Sequence, residues 1–158
     1  MGHSFGGRVA IIYASCKTSN KLVLFASPFE NKHMERSLRV RCLKLMKKVP
    51  IINKLENIAK KFIGSTDYRQ ASPLMRSILV NVINLDLTTY ACKINCPTLL
   101  IWGSNDQEVP LNEGKKLESI IKDSGLIIYE GLGHYAYLEN LGQTINILNN
   151  FLEKDKEK

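Results

Sequence analysis

No apolar run among the 158 residues approaches the roughly 20 that a helix needs to cross a bilayer. No membrane span is therefore expected. The chain also lacks a basic-then-apolar leader, since Met1 runs straight into a glycine-rich turn, and a cytoplasmic location follows as the expectation. Internal repeats and low-complexity stretches are missing, which excludes repeat arrays and disordered tracts. Cysteines are few: Cys16, Cys42, Cys92 and Cys96. Only Cys92 and Cys96 are spaced like a metal pair, and no second Cys/His cluster completes four ligands. Free thiols in a reducing compartment are expected, with no metal and no cofactor.

What is present has the composition of an ordinary globular domain, long enough to bury a core. The net charge of +7 is concentrated in the middle. Between Asn31 and Lys93 there are 13 Lys/Arg against 4 Asp/Glu, a local +9 that leaves −2 for the rest. This basic stretch lacks interleaved aromatics and any nucleic-acid-binding motif, so it reads as a solvated helix face and no nucleic-acid partner is expected.

The chain is organised around Gly2-His3-Ser4-Phe5-Gly6-Gly7. A serine spaced G-x-S-x-G suits a sharp strand-to-helix turn that holds the hydroxyl clear of a sheet in a strained backbone conformation. The flanking glycines are expected where strand and helix pass too close for a Cβ. The first amides of the helix would face the reacting centre, with the Phe5 N–H placed to stabilise an oxyanion.

Arg8 to Cys16 reads as the helix behind this turn. Leu22 to Ala26, apolar at every position, reads as a buried parallel strand. From His33 to about Thr89 the pattern is helical. Leu38, Cys42, Leu45, Met46 and Val49 form one stripe, ended by Pro50. Ile51, Ile52, Leu55, Ile58, Ala59 and Phe62 form a second, closed by Gly64. Ser72-Pro73 reads as an N-cap followed by proline at the first helical position. Leu74, Ile78, Leu79, Val82 and Ile83 form a third stripe.

Pro97 to Gly103 is a second buried strand, followed by the polar loop Ser104 to Glu108. Leu111 to Lys122 reads as a helix ended by Gly125, with Leu117, Ile120 and Ile121 inward. Leu126 to Tyr129 is a third strand. Leu141 to Leu152 reads as an amphipathic helix with Leu141, Ile145, Leu148, Phe151 and Leu152 facing in.

Open parallel sheets set their sites in the loops at the carboxyl ends of strands. Each such loop here offers one reactive side chain: Ser4, then Asp106, then His134. Glu108, on the same loop as Asp106, is an alternative acid, and His3 and His33 read as packing and surface residues.

The order Ser…Asp…His, with G-H-S-F-G-G, P-T-L-L-I-W-G-S-N-D and E-G-L-G-H-Y-A-Y-L-E, resembles the C-terminal part of a cap-bearing α/β-hydrolase. The resemblance covers the chain from end to end. It implies an α/β fold: about three parallel strands flanked by helices, with an inserted helical cap. The expected divisions are 1–30 (turn, helix and first strand), 31–92 (cap), 93–153 (rest of the core) and 154–158 (charged tail). The implied activity is serine hydrolysis of a small-molecule acyl substrate (ester, thioester, lactone or related carbonyl). Ser4 would be the nucleophile, His134 the general base and acid, Asp106 the orienting carboxylate and the Phe5 N–H an oxyanion donor. The resemblance also offers Glu30 as an alternative acid, since some relatives take theirs after the preceding strand.

The family's strand before the turn, and the loop giving a second oxyanion donor, have no counterpart here. One lost donor typically costs about 10²–10³ in kcat, so little or no turnover is expected of this polypeptide alone. The strand Leu22 to Ala26 is expected to lose its inner neighbour. Its open edge would favour self-association or a complementary N-terminal fragment. The alternative is a truncated, non-catalytic binding or assembly module.

Overall fold

The computed structural model describes residues 1–30, 72, 74–75 and 81–153. Two compact units divide the chain: Met1–Glu30 with Asp86–Lys158, and Asn31–Leu85.

The first unit is built on a parallel sheet. Its strands are β1 (Gly2–His3), β2 (Leu22–Phe25), β3 (Thr98–Gly103) and β4 (Ser124–Tyr129), side by side in that order. Leu22 to Phe25 and Thr98 to Gly103 are buried at every position. Both faces of the central strands are covered, which is why they read as continuous apolar runs rather than alternating ones.

Alternation still decides which face each side chain serves. Leu22, Leu24 and Leu100 pack with Ile11, Leu87, Leu117 and Ile121. Val23, Phe25, Leu99 and Ile101 pack with Tyr129, Ala136, Leu148 and Phe151 on the other face. Each fully buried apolar side chain is worth about 1.5–3 kcal/mol relative to exposure.

The helices of this unit are α1 (Phe5–Cys16), α2 (Thr88–Ala91), α3 (Leu111–Ile120), α4 (Ala136–Glu139) and α5 (Leu141–Glu153). Among the described residues none is long and apolar enough to cross a membrane.

Four strands, not three, make the sheet. Gly2 and His3 pair with Leu24 and Phe25, so β2 keeps a neighbour on both sides and the edge lies at β1. A two-residue strand has no periodicity to read; only its pairing with β2 reveals it. Helix α1 begins at Phe5 rather than Arg8.

Gly125 is not the stop of α3. It lies inside β4, opposite Leu99. The helix ends where the Ile121 N–H reaches the Leu117 carbonyl.

In α5 the inward stripe is Thr144, Ile147, Leu148 and Phe151, while Leu141, Ile145 and Leu152 are exposed. Thr144 can face in because its hydroxyl bonds Tyr129 Oη (2.9 Å) and the Asn140 carbonyl (2.9 Å). A satisfied buried polar group of this kind carries little penalty, and it turns the helix away from its most apolar side.

Helix α2 belongs with the sheet, not with the inserted segment. Leu87 and Ala91 are fully buried in the core, and the Leu87 N–H donates to the Phe29 carbonyl (2.9 Å). The same junction is held by Arg8 Nη1 donating to Pro28 O (3.1 Å) and by Lys116 paired with Glu30 (2.7 Å).

In the second unit, the Met75 N–H donates to Ser72 Oγ (3.3 Å), the bond of an N-cap serine to the third helical residue. The stripes from Leu38 to Phe62, with Cys42, Gly64 and His33, lie outside the described residues, as does the tail 154–158.

Candidate functional site

Ser4 stands between β1 and α1 with φ 50° and ψ −118°, a backbone conformation costly for any residue with a Cβ. Pairing holds it there. The Ser4 N–H donates to the Phe25 carbonyl (3.0 Å), and the Ser4 carbonyl accepts from the Gly7 N–H (3.0 Å).

The glycine requirement is distributed differently from the expectation. A Cβ on Gly2 would lie 2.6 Å from the Gly6 carbonyl oxygen, and one on Gly7 would lie 1.8 Å from Ser27 Oγ. A Cβ on Gly6 would meet nothing within 4 Å. The strand thus passes close to the helix at Gly2, as expected, and a second close approach brings Gly7 to Ser27 just beyond β2, a residue whose hydroxyl donates to Phe25 O (3.0 Å).

Asp106 sits in the loop after β3. Trp102 anchors that loop by donating Nε1–H to the Val109 carbonyl (2.9 Å). Asp106 Oδ1 accepts from the backbone N–H of Glu108 and of Val109, each at 2.8 Å.

His134 sits in the loop after β4, and the two loops are laced together. The Asn105 N–H donates to Leu132 O (2.9 Å) and the Gly131 N–H to Ser104 Oγ (2.8 Å). Gly103 permits this, since a Cβ there would lie 2.3 Å from the Leu132 and Gly133 carbonyl oxygens.

The result is a buried pair: His134 Nδ1 lies 2.8 Å from Asp106 Oδ2, with relative exposures of 8% and 5%. Burial alone would lower the imidazole pKa. The Asp106 hydrogen bond and charge, with Glu108 adding to them, outweigh it and hold His134 above the ordinary histidine range. Burial alone would raise Asp106, yet the bonds from His134 and the two backbone amides hold it below the ordinary carboxylate range. An imidazole fixed at Nδ1 by a carboxylate is oriented to exchange a proton at Nε2.

Asp106, not Glu108 or Glu30, therefore meets His134 at Nδ1. Glu30 is ion-paired with Lys116. Glu108 is mostly exposed, and its Oε2 stands 3.6 Å from His134 Nε2. Nothing in the sequence pattern signals that approach, since it depends on how the loop folds over. Among the described residues no hydrogen bond joins Ser4 Oγ to His134. Phe5 is the first residue of α1, so its N–H lies among the four that a helix leaves without an internal partner.

His3, read from sequence as a packing residue, also bonds. Its Nε2 donates to the His134 carbonyl (3.2 Å), and its ring lies 4.7 Å from that of His134. Burial lowers its pKa and outweighs the hydrogen bond to the His134 carbonyl, which raises it; the charges of His134 (lowering) and of Asp106 and Glu108 (raising) are lesser effects. Among the described residues no group of three or more His, Cys, Asp or Glu side chains is arranged to hold a metal ion. Cys16 and Cys92 are exposed and Cys96 is buried.

No family model matches the chain. Among solved structures, an alpha/beta hydrolase enzyme from a metagenome of lagoon sediments at Mar Chica, Morocco, superposes on 98% of this chain and 60% of its own, with a TM-score of 0.64 and 19% identity. This chain has the α/β-hydrolase fold.

Hydrolases are similar to it in sequence as well. A 2-hydroxy-6-oxononadienedioate/2-hydroxy-6-oxononatrienedioate hydrolase from Pseudomonas putida is 24% identical over 97% of this chain and 62% of its own length. One of the same description from Klebsiella pneumoniae is 39% identical over 62 residues, 39% of this chain and 22% of that protein. The chain thus spans less than two thirds of the relatives it matches.

Proposed function

We propose that this polypeptide carries the catalytic residues of a serine hydrolase acting on a small-molecule acyl substrate. The observation that supports this reading best is the buried 2.8 Å contact of His134 with Asp106, in loops at the same end of the sheet as the strained Ser4 turn.

In the proposed reaction, Ser4 Oγ attacks a carbonyl carbon while His134 Nε2 takes its proton. The Phe5 N–H meets the oxygen that becomes negative. Collapse of the tetrahedral intermediate breaks the bond to the leaving group, which receives the proton from His134. Water then attacks the acyl-enzyme with His134 again as base. Asp106 steadies the imidazolium throughout.

The relatives are described as hydrolases of 2-hydroxy-6-oxo compounds, so oxo compounds of that kind join esters, thioesters and lactones as the substrate class to test. General acid–base help of this kind is worth about 10²–10⁴ in rate.

The test is covalent labelling by a fluorophosphonate probe. Wild type is expected to label, and Ser4→Ala and His134→Ala are not. Labelling that persists in Ser4→Ala would remove Ser4 as nucleophile.

A second reading, a non-catalytic binding or assembly module, draws support from one observation: Ser4 Oγ and His134 share no hydrogen bond among the described residues. Wild-type protein that neither labels nor turns over an activated ester would favour it. Ester turnover at about 1–10³ s⁻¹ would sink it.

A further inference from the structure

His3 is the place where the serine turn touches the histidine loop. Its backbone is set by β1, opposite Phe25. Its ring stands 5.1 Å from that of Tyr135 and 5.0 Å from that of Tyr137, which in turn packs 4.7 Å from Phe25. So far this is packing, and a phenylalanine would serve.

The hydrogen bond goes further. His3 Nε2 donates to the carbonyl of His134 itself (3.2 Å). That carbonyl lies just before α4, outside any regular ladder. The His134 backbone is thereby tied to the residue adjacent to Ser4. The Asp106 bond fixes how the imidazole turns; the His3 bond fixes where its backbone stands relative to the serine turn.

We propose that His3 is a positioning residue, whose Nε2–H holds the His134 carbonyl and so sets the imidazole of His134 against the Ser4 turn. The activity arm of the test rests on the hydrolase reading above, whereas the spectroscopic arm does not.

Two variants separate ring from donor in the full chain. His3→Phe keeps an aromatic ring and loses the N–H. His3→Gln loses the ring and keeps a side-chain N–H of similar reach. With ¹⁵N-labelled histidine, His3→Phe is expected to move the ring-nitrogen resonances of His134, and His3→Gln to return them toward wild type. Fluorophosphonate labelling is expected to slow roughly 10–100-fold in His3→Phe, the scale of a misplaced catalytic group, and to recover in His3→Gln.

The proposal is overturned if His134 resonances are the same in His3→Phe and wild type. It is equally overturned if both variants fall together in step with lost thermal stability. If neither variant folds, wild type decides: neutral His3 must carry its proton on Nε2, and a proton on Nδ1 rules the bond out. If Ser4 is not the nucleophile, labelling is absent or survives Ser4→Ala, while the His134 spectra still discriminate a bonded from an unbonded His3.

Discussion

A carboxylate with both oxygens engaged has one rotamer and one job. Asp106 Oδ1 is held by two backbone amides and Oδ2 meets His134, so an amide in its place would present N–H where an acceptor is needed. Asp106→Asn is expected to slow Ser4 labelling by a factor on the order of 10³–10⁴. The pH profile gives the sign. His134 must be neutral to accept a proton, and its pKa is raised above 6.5, so wild-type labelling should rise with pH through an inflection above 6.5. In Asp106→Asn the inflection should fall to a lower pH. For stability, Asp106 is depressed below 3.8, so its contribution is present above that value and lost as pH falls through the depressed pKa. His134 is raised, so its contribution is present below 6.5 and lost as pH rises through the raised pKa. His3 is lowered and works the other way, favouring the fold as pH rises past its own pKa. The melting deficit of Asp106→Asn relative to wild type should therefore be largest between those two ordinary values and shrink at alkaline pH. An inflection unmoved by the substitution would refute the pairing. The meeting of Asp106 with His134 is legible in the sequence because each follows a readable strand. The approaches of Glu108 and His3 are not, since each depends on a side-chain direction that no spacing encodes.

Helix α5 shows how an element can be recognised and its rotation misread. The run Leu141 to Leu152 announces an amphipathic helix, but apolar residues occupy more than one stripe. The stripe that packs, Thr144, Ile147, Leu148 and Phe151, repeats at i, i+3, i+4 and i+7. It is selected by the hydroxyl of Tyr129, a residue of another element, which offers Thr144 a partner. The two faces should answer differently to substitution. Ile145→Lys, at a position 46% exposed, should change stability by no more than about 0.5 kcal/mol. Leu148→Ala, at a partly buried position, should cost about 1–2 kcal/mol, below the range for a fully buried leucine. Urea melts of the two variants check this, and equal losses would reverse the assignment of faces. Strand β1 escaped sequence reading for a related reason. Gly2 and His3 have no pattern of their own and become a strand only because β2 offers them a partner. By contrast β2 and β3 are legible at once, because burial on both faces demands an unbroken apolar run.

At the scale of the molecule, the chain before and after the segment Asn31–Leu85 meets within the unit that holds the sheet. The chain leaves β2 through Pro28 and Phe29 and comes back at Leu87, whose N–H donates to the Phe29 carbonyl at 2.9 Å. Both residues are fully buried. Loop closure depends only weakly on length, about 0.6 kcal/mol per doubling. Replacing residues 31–85 by a short Gly/Ser linker is therefore expected to leave a cooperatively melting core in which the His134 spectrum resembles that of the full chain. A core that loses its cooperative transition would show that the sheet needs the segment.

Two neighbouring joints have a genealogical corollary. Recombination at Phe29 and Leu87 could splice in a foreign cassette of almost any size while every strand kept its register. Descendants sharing the same chemical machinery could therefore diverge widely in what lies between the joints.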